Sequence, residues 1–292
     1  MELIGGQALI EGIMMRNKEK LAMAARKGKK ILIKTEDIKR NFWYKIPIIR
    51  GFLIFLEILV SGIKALIWSA NIQEEKEEKL SNSSVYLTIF FSISIVAIVF
   101  VLLPYLLTYL TGLRESTNPI AFNMLDGLIK IIIFIVYLII ISKSKDVYKL
   151  FQYHGAEHKT IACYESKKEL TVANIKKFPK EHARCGTSFI VITLVISIIL
   201  FALVPTILTY FFPLISTFSL IKQKSIFFPV RLALIPLIMG LSYEFLKLSA
   251  KFKSRLIMKP LTFPGLLVQK ITTKEPNEKM IEVAIAALKK II

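Results

Sequence analysis

Cysteine and histidine are scarce in this chain of 292 residues, which holds two of one and three of the other. Two cysteines cannot build a disulfide framework, and they fit reduced thiols facing a cytoplasm. Acidic groups are also short, 21 against 40 Lys and Arg, which leaves a formal charge of +19. The polar balance of a soluble domain is missing too: 54% of residues are hydrophobic and the mean hydropathy is +0.57. Length alone suggests about two domains, but a chain this apolar counts in membrane spans instead. The first 45 residues lack a continuous apolar core, so no cleavable signal peptide is expected.

Four stretches have the length and apolarity of spans, roughly Val85–Thr111, Leu125–Ser142, Thr187–Phe212 and Phe227–Leu248. The second is the shortest and carries Asp126 and Lys130. Pro104, Pro205 and Pro236 fall inside the other three and would kink them. Broken helices can line transport sites, yet prolines are ordinary in membrane helices, and the plain reading is preferred. Residues 46–70 are apolar but place Arg50, Glu57 and Lys64 seven apart, on one stripe of a helix. Lipid would not accept that stripe, so this helix reads as amphipathic or partly embedded, its polar seam against protein or headgroups.

Of the 40 basic residues, 35 lie in segments 1–84, 143–185 and 246–292. With four spans those segments share one side, as the positive-inside rule requires of a cytoplasmic face. Both termini are then cytoplasmic and the protein belongs in the cell membrane. A bilayer with anionic headgroups accounts for the charge, and no specific nucleic-acid partner is needed.

The fold class is mainly α: a polytopic helical membrane protein of about four spans. Residues 1–45 form an N-terminal segment in which two short apolar runs around Lys27-Gly28 predict a small β-hairpin. The early glycines, Gly5, Gly6 and Gly12, read as tight turns before they read as an anion cradle. Residues 46–84 hold the embedded helix and a charged linker over Gln73–Lys79. Residues 85–248 are the transmembrane domain with its loop 143–186. Residues 249–292 end in a helix from Glu278, capped by Asn277, with Met280, Ile281, Ala284, Ile285 and Leu288 on one face.

All three histidines and both cysteines sit between positions 154 and 185. Small polar loops tolerate histidine, but ligand-type residues spread for packing would not collect this way. Apolar steps at Val147, Leu150, Phe151 and Ile161 predict a helix over 146–164. His154 and His158 then lie one turn apart on one face, able to bind one ion. With Glu157 they spell H-x-x-E-H, in which histidines hold zinc and the glutamate takes a proton from water. Gly155 lowers helix propensity in the middle of that motif. His182 or Cys185 can supply a further donor, and both are normal ligands of a divalent metal such as zinc. Cys163 could close a four-ligand structural site; otherwise a position stays open for catalysis. Arg184 could steady an anionic intermediate or bind lipid phosphate, the latter preferred. Glu244 lies near the cytoplasmic end of the fourth span, where it could join the site or pair with Lys247. Glu11 and Glu57 are further candidates for its surroundings.

Four stretches carry a resemblance. They are Gly5-Gly6-Gln7-Ala8 through Glu11-Gly12 to Met14-Met15-Arg16, Tyr153-His154-Gly155-Ala156-Glu157-His158-Lys159-Thr160, His182-Ala183-Arg184-Cys185-Gly186-Thr187-Ser188-Phe189, and Thr272-Thr273-Lys274-Glu275-Pro276. With these the chain resembles the YqhQ-like bacterial membrane proteins, a domain of unknown function described as a predicted metal-dependent enzyme. The resemblance covers nearly the whole chain. It implies a multi-pass membrane protein with a metal centre at His154, Glu157, His158, His182 and Cys185, and it supplies no substrate.

The leading expectation is a cytoplasm-facing metalloenzyme, a zinc hydrolase acting on a lipid, peptide or other membrane-associated substrate. The alternatives are a scaffold or regulator with a structural metal site, in which Cys163 is as necessary as Cys185, and a transporter with a polar path through Asp126, Lys130 and Arg231.

Overall fold

The structure, a computed structural model, describes residues 4–73, 82–115, 117–182, 184–251 and 259–292. Apart from Gln73, the charged linker read over Gln73–Lys79 lies outside them.

The N-terminal segment is a sheet larger than the predicted hairpin. Strands β1 (Gly5–Leu9), β2 (Gly12–Arg16), β3 (Lys20–Lys27) and β4 (Lys30–Asp37) form an antiparallel meander in chain order. The expected hairpin is β3–β4, closed by Gly28 and Lys29, with Gly28 at φ +59, where a side chain would be strained. Strands β1 and β2 escaped prediction because β2 is buried along its whole length and shows no alternation. Both faces of the sheet are covered over β1–β3, while β4 stays largely exposed. Leu9, Met14, Leu21 and Met23 pack on Ala65, Leu66 and Trp68 of helix α1 (Ile49–Gln73). Ile13, Met15, Ala22 and Ala24 share a second core with Tyr153 and Ala156 of α5 (Lys145–Glu165) and with Met280, Ile281 and Ala284 of α10 (Glu278–Leu288). Asn277 caps α10, its Oδ1 accepting from the Met280 N–H at 3.0 Å, as its sequence indicated.

The remaining long helices form the bundle. Helix α2 (Asn82–Ala97), a π turn (Ile98–Leu102) and α3 (Leu103–Leu110) run as one rod. Pro104 comes two residues after the end of the π turn; the widened turn absorbs the missing N–H and the clash of the ring with the preceding turn. Helices α4 (Pro119–Ile141), α7 (Gly186–Phe211) and α8 (Leu220–Lys251) complete it. Five described helices are long and apolar enough to cross a membrane: Ile49–Gln73, Phe90–Leu110, Pro119–Ile141, Gly186–Phe211 and Ile221–Ser249. Their outward faces expose large apolar side chains such as Phe90, Ile93, Ile199 and Leu232. This is a multi-pass membrane protein. Sequence reasoning counted four such helices, and α1 is the fifth.

Helix α1 differs from the other four in its company. Its seam meets protein: Arg50 binds Glu244 of α8, and Glu57 accepts from Arg16 and Arg40, while Lys64 stays exposed. Further along, Ser69 Oγ accepts from the Ile10 N–H at 3.2 Å and Gln73 donates to the Arg26 carbonyl at 3.0 Å. The charges inside the bundle also find partners. Asp126 accepts from Lys130 one turn on, at 2.5 Å. Arg231 donates to Glu115 and to Asn123, each at 2.8 Å. The stretch after α8, left unassigned by its pattern, contains α9 (Lys259–Thr272), which packs on the start of α7.

Candidate metal centre

Helix α5 matches the predicted span within a residue at each end, and it sets His154 and His158 one turn apart with ring centroids 4.4 Å from each other. Each ring is held by a backbone carbonyl from a different part of the chain. His154 Nδ1 donates to the Thr272 carbonyl at 2.8 Å, where α9 ends. His158 Nδ1 donates to the Lys180 carbonyl at 2.5 Å, in the loop before α7. With Nδ1 donating in both bonds, Nε2 is the unprotonated nitrogen of each neutral ring. Metal-binding histidines are oriented in this way, the second nitrogen tied to a carbonyl or carboxylate.

Cys185 completes the group. It caps α7, its Sγ accepting from the Thr187 N–H at 3.4 Å and lying 3.1 Å from Thr187 Oγ1. His154 Nε2 is 3.2 Å from that sulfur. One donor atom each from His154, His158 and Cys185 lie within 4.8 Å of one another. Burial holds the His158 imidazole below its ordinary range, which suits a neutral ligand.

Glu157 stands on the flank of α5 that faces β1. It is buried, takes a hydrogen bond from the Gly6 N–H, and keeps Oε2 without a partner. Burial pushes its carboxyl up to about 7, against the opposing pull of His154 and the Gly6 bond. Only a residue without a side chain fits at Gly6, because a Cβ there would come within 2.6 Å of the Met14 carbonyl oxygen and 2.9 Å of the Glu157 carboxyl carbon. Gly155 has an equally local reason. A Cβ on it would lie 2.1 Å from the Lys274 carbonyl oxygen, so its absence lets segment 272–276 run against α5 and reach His154.

The other candidates fall elsewhere. The His182 ring lies 5.7 Å from that of His158 and turns toward Glu165, with Nε2 3.4 Å from Oε2. Gln269 holds the His182 backbone from both sides, at 2.8 and 2.9 Å, so Cys185 and not His182 offers the third donor. Arg184 pairs with Glu165 rather than standing free for lipid. Cys163 is buried in the core shared with the sheet, its thiol directed at the Lys168 and Glu169 carbonyls. Glu244 pairs with Arg50 instead of Lys247. Glu11, in the β1–β2 turn, accepts from Tyr153 Oη at 3.2 Å and pairs with Lys149.

Three supports went unread in the sequence. Glu165 lies seven residues after His158 on the same face of α5, a spacing that could have revealed it. Burial alone would raise this carboxyl, but hydrogen bonds from His182 and Arg184 outweigh it and hold Glu165 at about 2. Gln269 also donates to Ser188 Oγ at 2.8 Å. Buried Lys159 donates to the Lys176 carbonyl at 3.0 Å and pairs with Glu275.

Fold and site together define a multi-pass helical membrane protein whose sheet-and-helix cap meets the spans at a His/His/Cys cluster. Residues 46–292 match the family model DUF1385, described as a protein of unknown function, and the chain belongs to that family. It is 33% identical over 309 aligned residues to the uncharacterized protein YqhQ of Bacillus subtilis (strain 168), across 99% of this chain and 92% of that one. The family resemblance carried by the sequence motifs is thereby established. No solved structure matches the chain.

Proposed function

We propose that this protein is a membrane-embedded, metal-dependent hydrolase, with the metal held by His154, His158 and Cys185 and with Glu157 as general base. The observation that carries the reading is the matched orientation of the two imidazoles, each fixed through Nδ1 by a carbonyl of a distant segment. The donor set fits zinc: two ring nitrogens and a sulfur are ordinary zinc ligands, and three protein ligands leave a coordination position open. Bound there, zinc would supply Lewis-acid polarisation of a substrate carbonyl or phosphoryl oxygen. The chain's own part is to orient the rings, exclude bulk water, and offer Glu157 Oε2, buried and unpartnered, to the proton of an attacking water. Cys163 lies in the core among carbonyls, which favours the open site over a closed structural one.

The site belongs on the cytoplasmic side of the cell membrane in this reading. The sheet shares a core with α5 and α10, so all three lie on one side of any bilayer. An even number of crossings must then separate the sheet from α5. The α2–α3 rod and α4 supply two, and α1 lies along the interface without crossing. The 35 of 40 basic residues in segments 1–84, 143–185 and 246–292 mark that side as cytoplasmic.

The substrate class is a lipid, peptide or other membrane-associated molecule with a hydrolysable bond. Purified protein screened against lipid and peptide libraries tests this. Wild type should turn over a substrate, and Glu157→Gln should lose at least about a hundredfold in rate while keeping its metal. A variant as active as wild type would remove Glu157 from the chemistry.

A further inference from the structure

Away from the metal ligands, on the α1 face of the sheet, cations outnumber carboxylates at the end of the bundle where α1 meets α8. Arg16, Arg40, Arg50 and Lys247 gather around Glu57 and Glu244. Glu57 serves two arginines at once, accepting from Arg16 and, at 3.1 and 3.2 Å, from both Nη2 and Nε of Arg40. Arg50 takes both oxygens of Glu244, at 2.6 and 2.5 Å. Lys247, exposed beside that pair, forms no ion pair among the described residues. Arg16 is 6% exposed and its Nη1 is buried without a hydrogen-bond partner. Burial first, and the charge of Arg40 second, draw Arg16 down to about 10. Tyr243 lies within electrostatic reach of Arg16, Arg40, Arg50 and Glu244, so these groups form one cluster. A cleft of about 220 Å³ opens onto it, lined by Arg50, Glu244, Lys247 and Leu248.

A second observation says what kind of molecule comes here. The short 3-10 turn Phe42–Lys45, just before α1, exposes Phe42 by 66% and Trp43 by 54%, and Arg40 lies 5.5 Å from the Tyr44 ring centroid. Exposed aromatics beside arginines, at the end of apolar helices, are what the headgroup layer of a bilayer selects.

The geometry points to a phosphate-binding site for an anionic lipid headgroup, formed by Arg40, Arg50 and Lys247 over the buried charge of Arg16, with Phe42 and Trp43 set among the acyl chains. Excess cations leave room for one more anion after both carboxylates are used, and a phosphodiester accepts from guanidinium and ammonium groups together. The inference is independent of the metal reading, since no metal ligand takes part.

The full chain, reconstituted in phosphatidylcholine nanodiscs with or without phosphatidylglycerol, tests it by native mass spectrometry and thermal melting. Wild type should retain phosphatidylglycerol in preference to phosphatidylcholine and melt higher with it. The double variant Arg40→Gln, Lys247→Gln should lose about tenfold in that preference, and Lys247→Gln alone, at an exposed position, should lose part of it. Inorganic phosphate should not reproduce the stabilisation. Undiminished preference in both variants would overturn the site, and equal stabilisation by free phosphate would overturn the lipid as its ligand.

Discussion

Gly155 shows how a single residue couples motif to site. Read in sequence, it is a flaw in a helix between His154 and Glu157. In the fold it is the gap through which segment 272–276 approaches, bringing the Thr272 carbonyl onto His154. Gly155→Ala should push that segment outward. The expected cost is about 1–3 kcal/mol in chemical unfolding, from overpacking against backbone, with metal affinity about tenfold weaker as the ring of His154 loses its anchor. Unchanged affinity would mean that the Thr272 bond does not orient the ligand. The residues of the cluster were legible because scarcity made them stand out: five residues of two types within 32 positions, with a one-turn spacing. Their anchors were not, because a backbone carbonyl carries no letter. The choice between His182 and Cys185 was equally hidden, since it turns on Gln269 holding the His182 backbone from a helix far along the chain.

Among the elements, α1 is the instructive one. Length and apolarity class it with the spans, whereas Arg50, Glu57 and Lys64 on one stripe argued for an embedded helix with protein on one side. Two of those three polar groups do find protein partners, and the sheet covers the face carrying Ala65 and Ser69. The strands were less legible than the helices. A strand buried on both faces shows no alternation, and β1 contains two glycines. If α1 lies in the interface, Lys34→Cys and Lys290→Cys should resist a membrane-impermeant thiol reagent added to intact cells, while Thr117→Cys and Ser216→Cys should react. The native cysteines are both buried and give little background. Protection of Thr117→Cys would mean that α1 crosses as well as the α2–α3 rod, and labelling of Lys34→Cys from outside would put the whole cap, which shares one core, on the outer face.

At the scale of the molecule, two layers with different chemistry meet at the centre. The bundle exposes apolar side chains, and the cap of sheet, α5 and α10 has a core of its own. Charge distribution made the layering readable, because basic residues concentrate in the segments that build the cap and its surroundings. What the sequence withheld was the convergence of α5, the loop before α7 and the end of α9 on one point, a consequence of tertiary packing. The most direct test adds cobalt(II) to purified protein and reads its absorption. One equivalent per chain should bind with a thiolate-to-cobalt band that survives Cys163→Ser and His182→Ala, and that vanishes in Cys185→Ser. A band that depends on Cys163, or cobalt bound equally well without His154, His158 and Cys185, would contradict the assignment of the centre.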